Sequence, residues 1–278
     1  MRKDLSFQEI IPLDQSIAVI NAGNWYTKNL EVSLSGENTE KQTKYYDKSG
    51  LCLFQGLSNK QEYEVTIKRT DIKGMLLYKK LRQTAAPIEN GSEYIVLIGA
   101  SVGKSWEFPE LPKRKNIGDG IILGNRTIYE FDKSSAIDSL IGLPIPVSAV
   151  IIKECSAYFP RDTGLSLEQI KKWVSKLQTK NITPVLATVV TITKEHDQTH
   201  PGRYQSILEF NDMIRKHADQ EGILVLDLEE AVRNGGNDRH LKPEYAQPDG
   251  NHLVKKAYDE ALDPLMEELI NKLAKSDG

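Results

Sequence analysis

The chain has 278 residues, of which 27% are charged, with a formal net charge of −3 and two cysteines. This length accommodates one or two domains with cores of their own. The interspersed charges form neither a basic patch for nucleic acid nor an acidic tail, and no run approaches the roughly 18 apolar residues of a membrane span. The sequence therefore predicts a soluble globular protein without a membrane span, acting on a small molecule or a carbohydrate and not on nucleic acid.

Compartment and oligomeric state stay open at this point. The start of the chain lacks the apolar core of a signal peptide, which leaves the cytoplasm, or secretion followed by signal removal. Cys52 and Cys155 fall in separate predicted domains. We therefore expect buried thiols and no disulfide between them.

Residues 1–90 predict an all-β sandwich that forms an accessory domain. Segments 16–20, 30–34 and 63–67 alternate apolar with polar residues and are separated by turns rich in Asn, Gly and Ser. Residues 56–67 resemble the E-to-F corner of a fibronectin type III-like domain, where a tyrosine hydroxyl, here that of Tyr63, bonds to upstream backbone. Trp25 and Tyr26 could stack on a sugar or lie in the core, and residues 84–92 predict the linker.

Residues 94–98, Tyr-Ile-Val-Leu-Ile, predict a central strand buried on both faces, since they are apolar without alternation. The strand is followed by Gly-Ala-Ser-Val-Gly, which places Ser101 on the turn that leaves it. Ligands of open α/β sheets bind at the carboxyl ends of the strands. Ser101 is therefore a candidate nucleophile, although small residues at a tight turn explain the same pattern.

The rest of the chain, residues 91–278, alternates strands with helices, which predicts a parallel sheet covered by helices on both sides. Ser166 and Gln169 indicate a capping box that opens a helix. Gly222 suits the end of another helix, and Asp263-Pro264 suits the start of the last one. The other predicted strands are residues 149–152, 184–190 and 223–227.

Residues 248–253, Pro-Asp-Gly-Asn-His-Leu, contain a candidate base and a candidate carboxylate for catalysis. A serine nucleophile needs a base, and that base needs a carboxylate that fixes its tautomer. With two residues between them, Asp249 can reach Nδ1 of His252 and leave Nε2 for the serine. An Asp-Gly turn that merely precedes a histidine is the alternative.

Together these two stretches resemble the SGNH hydrolases, also called GDSL-like esterases and lipases, over roughly residues 93–275. The nucleophile block after the first strand matches Ser101, and the D-x-x-H block matches Asp249 and His252. The resemblance implies a flavodoxin-like three-layer α/β/α fold and hydrolysis of acyl esters without a cofactor or a metal. It makes Ser101, Asp249 and His252 the catalytic triad.

Two blocks depart from that family. In the family an asparagine that donates to the oxyanion follows a strand, but residues 149–156, which take that place here, contain no asparagine. The family's second sequence block carries an oxyanion glycine, and its counterpart here is unclear because residues 128–133 occupy that stretch. We expect the backbone N–H of Ser101 to serve as one donor. The hydroxyl of Ser156, or a backbone N–H near Cys155, would stand in for the asparagine; otherwise Cys155 and Ser156 merely pack and cap the strand.

Two other classes of function stay open. Residues 99–105 superficially resemble a phosphate-binding P-loop, but its glycines need four residues between them and here there are three. The second is a catalytically weak SGNH fold that holds a glycan together with the β domain. His196 and His200 could in principle bind a metal, but a polar surface loop over the site is the preferred interpretation.

Overall fold

The computed structural model describes residues 8–13, 15–21, 30–47, 50–69, 78–84, 93–115, 117, 120–143 and 145–276. The chain divides into two units, Met1–Glu93 with Gly142–Pro146, and Tyr94–Ile141 with Val147–Gly278. Among the described helices, none is long and apolar enough to cross a membrane.

The first unit consists of antiparallel sheets, as the alternating pattern of its sequence predicts. One sheet has the order β1-β2-β5 and the other β4-β3-β6-β7. A single hydrophobic cluster takes Ile17 and Phe54 from the first sheet and Val32 and Val65 from the second. The strands are β1 Gln8–Leu13, β2 Ser16–Asn21, β3 Leu30–Gly36, β4 Thr39–Tyr45, β5 Leu51–Gln55, β6 Glu62–Arg69 and β7 Tyr78–Thr84.

The corner before β6 contains the tyrosine contact expected there. The Ser58 N–H donates to the Tyr63 hydroxyl at 2.7 Å, and Tyr63 is buried. The wider likeness to a fibronectin type III-like domain stays a prediction. Trp25, Tyr26 and residues 85–92 of the predicted linker lie outside the described residues.

The second unit is a flavodoxin-like three-layer α/β/α fold around a parallel sheet, as predicted. Its strand order is β12-β11-β10-β8-β9. The order reverses between β8 and β10, and this switch point is where doubly wound sheets open a crevice for ligands. The strands are β8 Glu93–Gly99, β9 Ile121–Thr127, β10 Ala149–Lys153, β11 Thr183–Ala187 and β12 Leu224–Leu226.

Helices cover both faces of this sheet because its strands are apolar on both faces. Ile95, Leu97 and Ile151 belong to a cluster that also includes residues of the first and last helices. Their neighbours along the strands face the other layer, since side chains alternate. The helices are α1 Ser101–Ser105, α2 Leu111–Lys115, α3 Ser134–Ile141, α4 Thr163–Gln178, α5 Lys194–Thr199, α6 Arg203–Glu221, α7 Leu228–Val232, α8 Lys255–Ala257 and α9 Asp263–Ser276.

Three local predictions need correction. Helix α4 begins one turn before the predicted capping box, because Asp162 accepts the Leu165 N–H and Ser166 lies inside the helix. Strand β11 ends at Ala187, since the Asn211 side chain bonds both the N–H and the carbonyl of Val189. His196 lies in α5 and not in a loop.

Helix α9 starts at Asp263, as the Asp263-Pro264 pair predicts, but the helical backbone before it is not interrupted. It is continuous from α8 through a π-helical turn, Tyr258–Leu262, into α9. Pro264 has no N–H to donate, and its ring would clash with the carbonyl four residues earlier in a regular α-helix. A wider turn directly before the proline relieves that clash.

Candidate active site

Ser101 is the first residue of α1, directly beyond the end of β8, and its side chain is partly exposed. Strands β8 and β10 are parallel and pair Ile98 with Ile152. The residues that follow them, Ser101 and Ser156, therefore leave the sheet from neighbouring strand ends at the switch point.

Gly103 is required by the close approach of α1 to the sheet. A Cβ atom at this position would lie 2.6 Å from Asn125 Oδ1 and 2.7 Å from Leu97 Cδ2. Real Cβ atoms essentially never make such contacts. The second glycine of the serine turn thus lets the helix that carries Ser101 pack directly on β8 and β9.

Asp249 and His252 lie in a tight turn, and their side chains meet. The Oδ2 atom of Asp249 lies 2.5 Å from Nδ1 of His252, while Oδ1 accepts the backbone N–H groups of Asn251 and His252, each at 3.0 Å. The His252 side chain is 40% exposed. The carboxylate fixes the proton on Nδ1, so that Nε2 is the acceptor nitrogen of the neutral ring.

The carboxyl group of Asp249 is ionised over the whole physiological pH range. Desolvation raises its pKa, but the hydrogen bonds from the backbone of His252 and Asn251 and from the His252 ring outweigh that effect and lower the pKa to about 2. Hydrogen bonds that stabilise the charged form act in this direction. Asp249 is thus an anion that can stabilise a neighbouring imidazolium.

A second histidine, His196, contacts the backbone of the turn that carries Asp249 and His252. Nδ1 of His196 lies 2.7 Å from the carbonyl oxygen of Asp249, and Arg203 donates to its Nε2 at 2.8 Å. Arg203 also donates to the carbonyl oxygen of Phe159 at 3.0 Å. Because guanidinium can only donate, His196 is neutral with its proton on Nδ1, and burial lowers its pKa.

Gly250 completes that support. Its φ is +68°, and its carbonyl oxygen accepts the Thr193 N–H at 2.9 Å. A Cβ atom there would lie 2.5 Å from Thr193 Oγ1 and 2.9 Å from Cβ of His196. The turn that carries Asp249 and His252 is therefore packed against the N-terminus of α5.

The serine helix and the histidine turn are neighbours in the fold. Ser105 and Trp106, at the end of α1, line a cavity of about 260 Å³ together with Gln247 and Leu253. No hydrogen bond joins Ser101 to His252 within the described residues. Such bonds often tighten only when substrate is bound.

The chain after β10 occupies the place where the resemblance expects an asparagine. Ser156 begins a short 3-10 turn, and its hydroxyl donates to Oδ1 of Asn251 at 2.5 Å. Cys155 is a buried free thiol, as is Cys52 in the first unit. The Tyr158 hydroxyl donates to the carbonyl of Ile128, whose N–H donates to Gly99. These bonds link the ends of β10, β9 and β8.

A buried ion pair lies beneath this segment. The Lys133 ammonium is 3.0 Å from Oε2 of Glu154, and both side chains are at most 1% exposed. Burial lowers the pKa of Lys133 and raises that of Glu154, while their mutual attraction opposes both shifts. Lys153, also buried, donates to the Glu154 carbonyl at 2.7 Å. The pair fixes the backbone from which Cys155 and Ser156 emerge.

Solved structures with a similar fold are hydrolases of the GDSL type and a carbohydrate esterase. A GDSL-like lipase from Bacteroides thetaiotaomicron VPI-5482 is 16% identical over 67% of this chain and 90% of that chain, with a TM-score of 0.49. A carbohydrate acetylesterase from Sinorhizobium meliloti is 13% identical over 65% and 99%, with a TM-score of 0.50. A lipase/acylhydrolase from Enterococcus faecalis is 17% identical over 65% and 96%, with a TM-score of 0.50. At these identities, the likeness to the two structures with a TM-score of 0.50 shows a common fold and no more.

No protein-family model matches the sequence, and no curated protein matches it. The roles of individual residues therefore depend on the geometry of this chain. Sequence reasoning missed the supporting contact of His196 with Asp249 and the bond between Ser156 and Asn251. Both contacts join segments that are far apart in the chain, so no local sequence motif predicts them.

Proposed function

We propose that this chain is a serine hydrolase of acyl esters, with Ser101 as nucleophile, His252 as general base and then acid, and Asp249 as the carboxylate that orients it. The observation that carries the proposal is the Asp249–His252 pair at 2.5 Å. A carboxylate held by two backbone N–H groups and bonded to Nδ1 leaves Nε2 free to accept a proton.

The reaction then follows from the chemistry of these groups. Ser101 Oγ attacks the acyl carbonyl carbon while His252 Nε2 takes its proton, and the carbonyl oxygen becomes an oxyanion. The intermediate expels the alcohol, which takes the proton back from His252. Water then hydrolyses the acyl-serine by the same transfers in reverse roles. Every proton moves between side chains and reactants, so the mechanism needs no cofactor.

We further propose O-acetyl groups on carbohydrate as the substrate class. The fold is shared with a carbohydrate acetylesterase, and an accessory domain in residues 1–90 in front of a hydrolase domain in residues 91–278 suits a polymeric glycan. Neither nucleic acid nor a membrane is part of the proposed reaction.

The test replaces the nucleophile. Ser101→Ala is expected to lower turnover of p-nitrophenyl acetate by several orders of magnitude, about 10⁶-fold in the subtilisin precedent, with the fold intact by circular dichroism. Ser175→Ala, on the exposed face of α4, is the matched control and keeps full activity. A fluorophosphonate is expected to label wild type but not Ser101→Ala.

Asp249→Asn tests the orienting carboxylate. It keeps the shape of the turn but removes the charge and permits the wrong imidazole tautomer, which costs on the order of 10⁴ in kcat in serine proteases. Normal turnover by this variant would show that Asp249 is only a turn residue. If folded wild type neither hydrolyses acetyl esters nor reacts with the fluorophosphonate, the esterase proposal fails and the alternative of a glycan-binding protein is favoured.

A further inference from the structure

Acyl transfer at Ser101 needs hydrogen-bond donors for the oxyanion, and removing one such donor typically costs about 10²–10³ in kcat. The backbone N–H of Ser101 is available whatever the side chains are. The chain after β10 offers no asparagine, and Ser156 is the first polar side chain with a hydroxyl there. The question is which side chain supplies the further donor.

The hydroxyl of Ser156 is already engaged. It donates to Oδ1 of Asn251 at 2.5 Å. A hydroxyl carries a single proton, so as long as this bond is made Ser156 has none for an oxyanion. In the structure this bond places Oδ1 of the Asn251 amide toward Ser156 and Nδ2 away from it.

In this arrangement the Nδ2 atom of Asn251 is not used by the bond to Ser156. It carries two N–H donors, and it has no hydrogen-bond partner among the described residues. This nitrogen is accessible, because it is not one of the buried polar atoms that lack a partner and Asn251 itself is only partly buried. The amide is therefore held in one orientation with its donors open to an incoming group.

The position of Asn251 also suits such a role. It directly precedes His252 in the turn, and its backbone N–H donates to Asp249 Oδ1 at 3.0 Å. Through Ser156 its side chain is tied to the end of β10, the strand beside the one that carries Ser101. Backbone and side chain thus have separate partners, so that a change of side chain leaves the bond to Asp249 in place.

We propose that Nδ2 of Asn251 donates a hydrogen bond to the oxyanion formed at Ser101, and that Ser156 is a positioning residue that orients this amide. The inference rests on the proposed esterase function. When the Ser101 Oγ–carbon bond forms, the carbonyl π electrons move onto the oxygen, the serine proton goes to His252, and the amide N–H meets the new charge.

The decisive variant is Asn251→Asp, which keeps an oxygen to accept from Ser156 and replaces the donor nitrogen by oxygen. With p-nitrophenyl acetate we expect kcat to fall about 10²–10³-fold or more with KM nearly unchanged. Asn251→Ala, which adds no charge, is expected to lose a similar factor and to keep the wild-type pH profile. Asn181→Asp controls for the added charge. Asn181 is exposed and lies just before β11, at the end of the strands opposite to the end that carries Ser101.

Ser156 gives the complementary measurement. Ser156→Ala is expected to lower kcat by about tenfold or less, because the variant loses only the hydrogen bond that orients the amide, and Ser156→Thr restores it. Affinity for a trifluoromethyl ketone, which forms the oxyanion adduct with Ser101, should fall in both Asn251 variants in proportion to kcat/KM.

Three results would overturn the inference. Asn251→Asp and Asn251→Ala could retain kcat within about threefold of wild type, far from the loss of a donor. Ser156→Ala could cost more than Asn251→Ala, which would make the serine hydroxyl the donor. Wild type could fail to hydrolyse esters and to react with a fluorophosphonate, in which case the proposed function fails and this inference with it.

Discussion

Gly250→Ala probes whether the packing of the histidine turn on α5 sets the geometry of the site. The backbone at Gly250 is left-handed, which costs an L-residue about 1–2 kcal/mol, and the new Cβ would lie 2.5 Å from Thr193 Oγ1. Reaching an ordinary contact of 3.4 Å requires a shift of about 0.9 Å. Overpacking of this kind costs a further ~1–3 kcal/mol.

The shift falls on the residues that flank Gly250 in the turn. Displacing reacting groups by about 1 Å can cost on the order of 10²-fold in rate. We therefore expect Gly250→Ala to lose about 2–5 kcal/mol in urea unfolding and about 10–10²-fold in kcat with p-nitrophenyl acetate.

Gly236→Ala is the matched control for this experiment. Gly236 has nearly the same φ, +66°, but nothing lies within 4 Å of its added Cβ. It should lose only the backbone part, about 1–2 kcal/mol, and keep its activity. Equal stability losses in the two variants, with full activity in Gly250→Ala, would refute the reasoning that α5 positions the turn.

Three further predictions concern charge and support. Because hydrogen bonds from His252 and Asn251 lower the pKa of Asp249 to about 2, the stability that Asp249 adds above its unfolded pKa of about 3.9 is lost as pH falls toward 2; urea unfolding at about pH 7 and at about pH 2 should show a smaller acid loss in Asp249→Asn than in wild type, and equal losses would contradict this. His196→Phe removes the bond to the Asp249 carbonyl and should lower kcat about fivefold, as expected for one hydrogen bond of ~1 kcal/mol; unchanged kcat would make His196 a bystander. Glu154→Gln leaves buried Lys133 without a counter-charge and should cost about 3–5 kcal/mol in urea unfolding, most of it recovered in the double variant with Lys133→Met; a neutral Glu154→Gln would contradict this.

An apolar run without alternation predicted the central strand, and the alternation of strands with helices predicted a parallel sheet covered on both sides. A strand that is apolar on both faces is stable only when both faces are buried. The run from Tyr94 to Ile98 therefore implied a parallel sheet with helices on both sides. The turn residues around Ser101 and the spacing of Asp249 and His252 are equally local. A carboxylate three residues before a histidine is near enough along the chain to reach its ring within a single turn, and the structure contains that contact.

Element ends were predicted less well, because tertiary contacts decide them. The side chain of Asn211, on α6, ends β11 by bonding Val189. Asn211 and Val189 are 22 residues apart in the chain, too far for a periodic signal.

The completion of the site is likewise a property of the tertiary structure alone. The bonds from Ser156 to Asn251 and from His196 to Asp249 each span more than fifty residues of chain. A hydrogen bond depends on distance and angle, which the fold sets and a one-dimensional pattern does not encode. The sequence determined which side chains could do chemistry, and only the packing of β10 and α5 against the histidine turn decided which polar atoms meet there.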